Sequence, residues 1–341
     1  MLLLVAVIGL AATFFFNALS LAQPQSFNLV TSPLPINLTT TPGKPVSTEL
    51  RVKNNSPQPE RLQVTLYKFS VNEASEVSLS EGQPGDDFME WVSFAPTVFT
   101  AEPNQWKTVK MNINVPAEAA LGYYYAVGFS RAEAPTPVPS GAALRGQVIT
   151  FVLLDVQVPG AKRELTVTEF SSDRGVYEFL PAAFTVKVKN TGNIHTVPTG
   201  TIFIKRGSKT VGTLAVNPGQ GNILPGSTRT FTAQWEDGFP LHVPKETGGQ
   251  PVSNPDSTTA TTLKWDFGNA SKLRIGKYQA QLILVYDDGQ RDVPIEGSVG
   301  FWVVPFRLIL AVILIPLVPA LLVYILMKRR FRKRLARETK K

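Results

Sequence analysis

KTVKMNINVPAEAALGYYYAVGFS, residues 107–130, is the stretch whose reading decides the fold. Val109, Met111, Ile113 and Val115 alternate with other residues up to a turn. After the turn Tyr123, Tyr125, Val127 and Phe129 alternate in the same way. A period of two puts one set of side chains in a core and the other in water, which predicts two β-strands. The same pattern extends outward. Val46, Thr48, Leu50 and Val52 show it upstream, as do Leu62, Val64 and Leu66. Downstream, Val148 to Val158 is almost continuously apolar and predicts a central strand buried on both faces. Phe184, Val186 and Val188 alternate, then Ile202 and Ile204, then Phe231, Ala233 and Trp235. QLILVY (281–286), the turn DDGQ (287–290) and RDVPIEGSVGFWVV (291–304) predict a hairpin. No stretch between 23 and 300 sustains a helical period beyond about two turns.

The chain repeats itself. LRVKNNS (50–56) matches VKVKNTG (186–192), and GYYYA (122–126) matches GKYQA (276–280). The second interval is about 18 residues longer than the first, and 236–262, rich in Pro, Thr and Gly, reads as the loop that holds them. The expectation is an all-β ectodomain of two tandem immunoglobulin-like β-sandwiches, 23–160 and 161–305, followed by one C-terminal transmembrane α-helix.

Both ends are apolar. LLLVAVIGLAATFFF (2–16) precedes Ser20 and Ala22, small residues that suit cleavage after Ala22. Residues 1–22 therefore read as a signal peptide, although no Lys or Arg precedes the apolar run; an uncleaved anchor is the other reading. LILAVILIPLVPALLVYILM (308–327) is long enough to span ~30 Å of hydrocarbon. Pro316 and Pro319 are tolerable there. The transmembrane helix is placed at 306–327, with Trp302, Arg307 and Tyr324 as interfacial anchors and Lys328, Arg329 and Arg330 as the stop. Basic flanks stay in the cytoplasm, so the expected location is the cell membrane, single-pass, with the N-terminal region extracellular and 328–341 as a basic cytoplasmic tail.

Charge supports that division. The net charge is +8, and residues 328–341 hold nine Lys or Arg against one Glu. The remainder is neutral, with 25 basic and 25 acidic groups. The sandwiches have no net field to attract nucleic acid. The chain has no cysteine, which excludes disulfides, thiolate metal sites and cysteine nucleophiles, and leans toward a bacterial surface protein.

Catalysis finds little support. His195 and His242 are the two histidines, both beside turn residues, and no GxSxG, P-loop or HExxH is present. The expectation is a protein that is not an enzyme and needs no cofactor. NEASEVSLSEGQPGDDFME (72–90) holds six acidic residues and no basic one. Asp86, Asp87 and Glu90 are weak calcium candidates there, the plainer reading being a solvated loop. The aromatic residues give a better clue. Tyr124 faces away from Tyr123 and Tyr125, and Tyr124 with Trp91 or Trp106 is the candidate ligand contact, against ordinary core and strand surface.

SFNLVTSPLPINLTTTPGKPVSTELRVKNNSPQPERLQV (26–64) and EWVSFAPTVFTAEPNQWKTVKMNINVPAEAALGYYYAVGF (90–129) resemble the first extracellular domain of the WxL-interacting proteins of Gram-positive bacteria. The shared marks are a Pro-Gly turn, a strand ending in Asn, Val115-Pro116, and the strand from Gly122 to Tyr125. The resemblance implies that the first domain binds peptidoglycan and the second a protein partner or host matrix. The resulting expectation is a membrane-anchored extracellular binding or adhesion protein whose partner is cell-wall polymer or a surface protein. The alternatives are an assembly chaperone for secreted surface subunits, or a structural subunit of a membrane complex.

Overall fold

The computed structural model describes residues 27–72, 76–132, 146–247, 250–251 and 260–338, so the predicted signal peptide lies outside the described residues. The chain separates into two compact units with the change-over at Pro159–Gly160. Each is a two-sheet β-sandwich of immunoglobulin type.

The first unit runs β1 (Leu29–Ser32), β2 (Ile36–Thr40), β3 (Val46–Asn54), β4 (Glu60–Val71), β5 (Val77–Ser80), a 3-10 turn η1 (Asp87–Met89), β6 (Val92–Ala95), β7 (Val98–Ala101), β8 (Trp106–Ile113), β9 (Leu121–Arg131) and β10 (Gln147–Val156). One sheet has the order β1-β3-β8-β6; the other is β2-β10-β9-β4-β5, with β7 also on β4. The alternation read from the sequence is the packing: Val109, Met111 and Ile113 from one sheet meet Tyr125, Val127 and Phe129 from the other in a core that excludes water. Burying a large apolar side chain of this kind stabilises by about 1.5–3 kcal/mol.

The second unit runs β11 (Leu165–Ser172), β12 (Val176–Tyr177), β13 (Ala182–Asn190), β14 (Thr199–Arg206), β15 (Lys209–Val216), β16 (Thr228–Trp235), β17 (Leu241–Pro244), β18 (Glu246–Thr247), β19 (Gln250–Pro251), β20 (Thr261–Lys264), a 3-10 stretch η2 (Phe267–Lys272), β21 (Gly276–Asp287) and β22 (Asp292–Val303). Its sheets are β11-β13-β16 and β12-β22-β21-β14-β15. Trp235, Tyr278 and Phe301 are fully buried at its centre, with Trp235 and Phe301 both within 6.0 Å of a neighbouring ring. The β21–β22 hairpin turns at Gly289, whose φ of +97° suits glycine. Asp287 and Asp288 hold the turn by accepting from the N–H groups of Gly289, Gln290 and Arg291.

The two units share one topology. In each, the first strand pairs antiparallel with a strand of one sheet (β1 with β3, β11 with β13). The chain then crosses to pair in parallel with the last strand of the other sheet (β2 with β10, β12 with β22).

Three expectations need correction. Residues 236–262 are not simply a loop, because β17 and the paired β18 and β19 lie inside that stretch and β20, which pairs with β17, begins at its end. The GYYYA/GKYQA match is out of register by one. Leu121 and Gly276 are the equivalent residues, opposite Val156 and Val303 and both at positive φ, and so Tyr123, not Tyr124, corresponds to Tyr278. Face parity explains the slip: Tyr278 is core, whereas Tyr124 points away from the core. Finally, Val148 to Val156 is buried on both faces only toward its C-terminal half, and along the rest it is an edge.

The C-terminal helix α1 (Phe306–Glu338) has 33 residues. Its segment Phe306–Arg329, whose most apolar 18 residues have mean hydropathy 2.9, is long and apolar enough to cross a membrane. The helix runs through Pro316 and Pro319 and continues into the basic segment as far as Glu338.

Candidate binding edge of the first unit

β10 pairs with β9 along its whole length, from Gln147 opposite Ser130 to Val156 opposite Leu121. On its other side β2 covers only Val152 to Val156. The cause is local sequence. The chain stays in the opposite sheet as β1 until Ser32, and Pro33-Leu34-Pro35 breaks the strand before it joins β10 at Ile36. Among the described residues, Gln147, Val148, Ile149, Thr150 and Phe151 therefore have no strand neighbour on that side. Alternate residues of a strand turn their N–H and C=O to the same side, so this stretch presents backbone groups along its edge that no strand among the described residues pairs.

Among the described residues β22 in the second unit is open in the same way, since β12 pairs only with Trp302 and Val303. That edge carries Asp292, Pro294 and Glu296, the residue types that discourage an added strand. QVITF (147–151) carries no charge and no proline. The two edges share a topology and differ in chemistry.

The outward face beside the β10 edge is aromatic. Along β9 it presents Gly122, Tyr124, Ala126 and Gly128, so neighbouring side chains can lie flat on it. A Cβ at Gly128 would lie 3.0 Å from the Tyr67 ring and 3.2 Å from Ile149, and one at Gly122 would overlap the Tyr124 hydroxyl. The Tyr67 hydroxyl donates to Gln147 Oε1 at 3.3 Å. Phe69 lies 4.7 Å from Phe151 and 6.0 Å from Tyr124. At the far end of the strand pair, Glu60 accepts two hydrogen bonds from Arg131, at 2.6 and 2.7 Å, and these hold the guanidinium above its ordinary pKa.

The structure does not bring the three aromatic candidates to one surface. Trp91 packs on the core side, 4.8 Å from Tyr123 and 6.4 Å from Phe88. It belongs to a knot of rings that seats η1 under the sheet, where the Tyr125 hydroxyl donates to the Phe88 carbonyl at 3.1 Å. Burial pushes the Tyr125 phenol well above its ordinary pKa, with Tyr123 adding to the effect. Trp106 is exposed on β8 in the other sheet, with the Arg51 guanidinium 5.5 Å from its ring. Tyr124 alone joins the outward face beside β10.

The calcium candidates do not gather either. Asp86 Oδ1 lies 2.7 Å from Lys68 Nζ and Oδ2 accepts from the Gln83 N–H; the Lys68 bond first, then the backbone bond, hold the carboxyl below its ordinary range. Asp87 starts η1, and Glu90 follows it. Among the described residues no three His, Asp or Glu side chains form a group able to hold a metal ion. His195 lies between β13 and β14, and His242 sits on β17 with its ring 6.2 Å from Phe179. Of the anchor residues, Trp302 is exposed at the end of β22, Arg307 Nε lies 3.5 Å from Glu178 Oε2, and the Tyr324 ring lies 5.8 Å from Lys328 Nζ. Arg329 and Arg330 continue the helix.

No known family profile and no curated protein matches the chain. Solved structures do. The class 5 fimbriae chaperone CfaA is similar, at 11% identity over 82% of this chain and 100% of that one, with a TM-score of 0.37. So are the Pseudomonas aeruginosa chaperone CupB2 (11%, 80% and 100%, TM-score 0.34) and the complex of Salmonella enterica SafA pilin with the SafB chaperone (10%, 81% and 99%, TM-score 0.35). Identity and TM-score at this level carry no function across.

Sequence reasoning missed the β10 edge because the run from Val148 looked like a central strand. The signal was upstream, in Ser32-Pro33-Leu34-Pro35, which limits how much of β10 its neighbour can cover.

Proposed function

We propose that the chain is a non-catalytic binding protein, anchored in a cell membrane by α1 with both sandwiches outside the cell, and that its first unit takes an extended segment of a secreted or surface protein as an added strand on β10. One observation carries this reading: Gln147–Phe151 is an uncharged, proline-free strand edge that β2 leaves uncovered. An added strand gains main-chain hydrogen bonds along such an edge, and the pockets beside it select side chains. Here the selecting surface is Ile149, Phe151 and Tyr67. The reading is that of an assembly chaperone or tethered receptor for polypeptides. Membership of the WxL-interacting family, proposed from residues 26–64 and 90–129, would instead direct this unit to peptidoglycan.

The test uses the full chain in nanodiscs, with a photo-crosslinking amino acid at Ile149 or at Ile295 on the β22 edge. Incubated with secreted proteins of the source cell, the Ile149 protein should crosslink to extended polypeptide segments, and the Ile295 protein should not. Amide exchange at 147–151 should slow by at least tenfold on binding, since tenfold protection corresponds to about 1.4 kcal/mol. Unchanged exchange at those amides in a complex that does form would remove the edge reading. Pelleting with purified wall in the absence of any polypeptide would favour the wall-polymer reading.

A further inference from the structure

The second unit exposes aromatic side chains that its sandwich does not use. Trp265 is 44% exposed and Phe267 is 74% exposed. Their rings stack at 6.2 Å and rest on Phe239, at 5.7 and 5.5 Å respectively. Leu273 and Ile275 follow them, also exposed. Apolar surface gathered in one place at the end of a domain marks a contact.

The place is fixed by register. η2 leads through Leu273 and Ile275 into Gly276, which pairs with Val303, the last residue of β22. The helix α1 begins at Phe306, and three residues of chain span at most ~10 Å. A second tie comes from the other side of the cluster. Phe179 lies 6.4 Å from Trp265, and its neighbour Glu178 lies 3.5 Å from Arg307 in the first turn of α1. A third is the Phe239 N–H, which donates to the Lys272 carbonyl at 3.1 Å. The exposed aromatics and the start of the apolar helix thus share one end of the unit.

We propose that this end of the second unit docks on the outer leaflet of the bilayer that α1 enters, with Trp265 and Phe267 seated at the boundary between head groups and acyl chains. The inference rests on the membrane-anchored reading given above. Continuity argues for lipid over a protein partner, because the apolar surface of α1 starts beside the patch and any bilayer around the helix comes up to it. Trp and Phe suit that boundary because large rings gain from leaving water there. The same end carries Lys272, Arg274 and Arg307 against Asp237, Glu178 and Asp266, so its named charges balance and the rings carry the contact. Docking of this kind would hold the unit upright on its helix and fix the height of its distal hairpin above the membrane.

The absence of native cysteine makes the test direct. Full-length chain is reconstituted in nanodiscs of phosphatidylethanolamine and phosphatidylglycerol, with one environment-sensitive fluorophore on Ala270→Cys, Gln290→Cys or Leu314→Cys. Ala270 follows the aromatic pair, Gln290 is in the hairpin turn at the other end of β22, and Leu314 is within the span. Lipids brominated near the acyl carbonyl should quench most of the emission at 270 and none at 290, while deeply brominated lipids should quench at 314. Adding Trp265→Ser and Phe267→Ser should abolish quenching at 270 and leave 314 unchanged, with melting monitored to confirm a folded unit. Quenching at 314 with a fully aqueous signal at 270 overturns the docking and spares the span. A blue-shifted signal at 270 without quenching means that protein covers the patch, and overturns it also. No quenching at 314 sinks the membrane-anchored reading and this inference together.

Discussion

Two asparagines hold equivalent joints in the two units. Asn54 ends β3, is fully buried, and donates through Nδ2 to the Gln58 and Ala101 carbonyls while Oδ1 accepts from the Ser56 N–H. Asn190 ends β13, is equally buried, and donates to the Ile194 and Ile223 carbonyls while accepting from the Gly192 N–H. One side chain thus serves three main-chain groups, through two buried bonds and one part-buried bond. An unpaired buried polar group costs about 1–3 kcal/mol. Asn190→Ala should therefore lower the stability of the second unit by about 3 kcal/mol, and Asn54→Ala the first by a similar amount, each read as loss of amide-exchange protection within its own sandwich. Equal protection in wild type and variant would refute the role. The Lys-Asn pair was visible as a repeat in LRVKNNS and VKVKNTG, so the joint was legible as a position. Its chemistry was not, because Ala101 and Ile223 lie 47 and 33 residues away along the chain and only the folded sandwich brings them in.

Strands declare themselves by period, but their neighbours do not. β8 and β9 follow from the alternation in 107–130, as the β21–β22 hairpin follows from DDGQ. That β10 is half an edge depends on where β1 crosses between sheets, a property of two strands at once. The excursion between β16 and β21 was hidden in another way. Its polar, Pro-rich composition reads as loop, yet β17 and β20 pair, and Trp265 and Phe267 set exposed rings at the start of η2. One carboxylate fastens it. Asp237 meets Lys272 at 2.9 Å and Arg274 at 2.5 Å, and Arg274 also donates to the Asp237 carbonyl at 2.8 Å. Burial pushes the Asp237 carboxyl up, but the Lys272 hydrogen bond and the Arg274 charge outweigh it and leave the group below its ordinary range. A carboxylate depressed in the folded state stabilises fully above its unfolded pKa of about 4, and that contribution is lost as pH falls through the lower folded value. Amides of 265–275 should accordingly lose protection below about pH 4 in the wild type. Asp237→Asn should lose about 1 kcal/mol of that protection at neutral pH, a modest figure because Asp237 is 37% exposed, and should show no further loss from this group on acidification. A variant with the wild-type acid profile would show that the three groups do not fasten the excursion.

The arrangement of the whole chain turns on one separation of charge. The two sandwiches are close to neutral, and the excess of positive charge falls beyond Met327. α1 does not stop there. No glycine or proline follows Pro319 before Glu338, and Lys, Arg, Leu and Ala are good helix formers, so the helix runs on for 33 residues, or about 50 Å. Its uncharged run, residues 308–327, has 20 residues and covers about 30 Å, the thickness of a hydrocarbon core. Composition foretold the apolar run and the cations but not that one helix holds both. The proposed orientation follows from the cost of moving those cations through lipid: each Lys or Arg at the centre of a membrane helix costs about 2.5–3.5 kcal/mol even by the mildest scale, and the segment carries nine. A membrane-impermeant maleimide applied to intact cells should therefore label Gln290→Cys, in the hairpin turn of the second unit, and leave Ala336→Cys, near the end of the helix, unlabelled until the membrane is opened with detergent. The reverse pattern would turn the molecule over, placing the β10 edge in the cytoplasm out of reach of secreted polypeptides. Labelling of both sites in intact cells would mean that α1 does not cross at all, and the cationic rod would then have to lie along a surface.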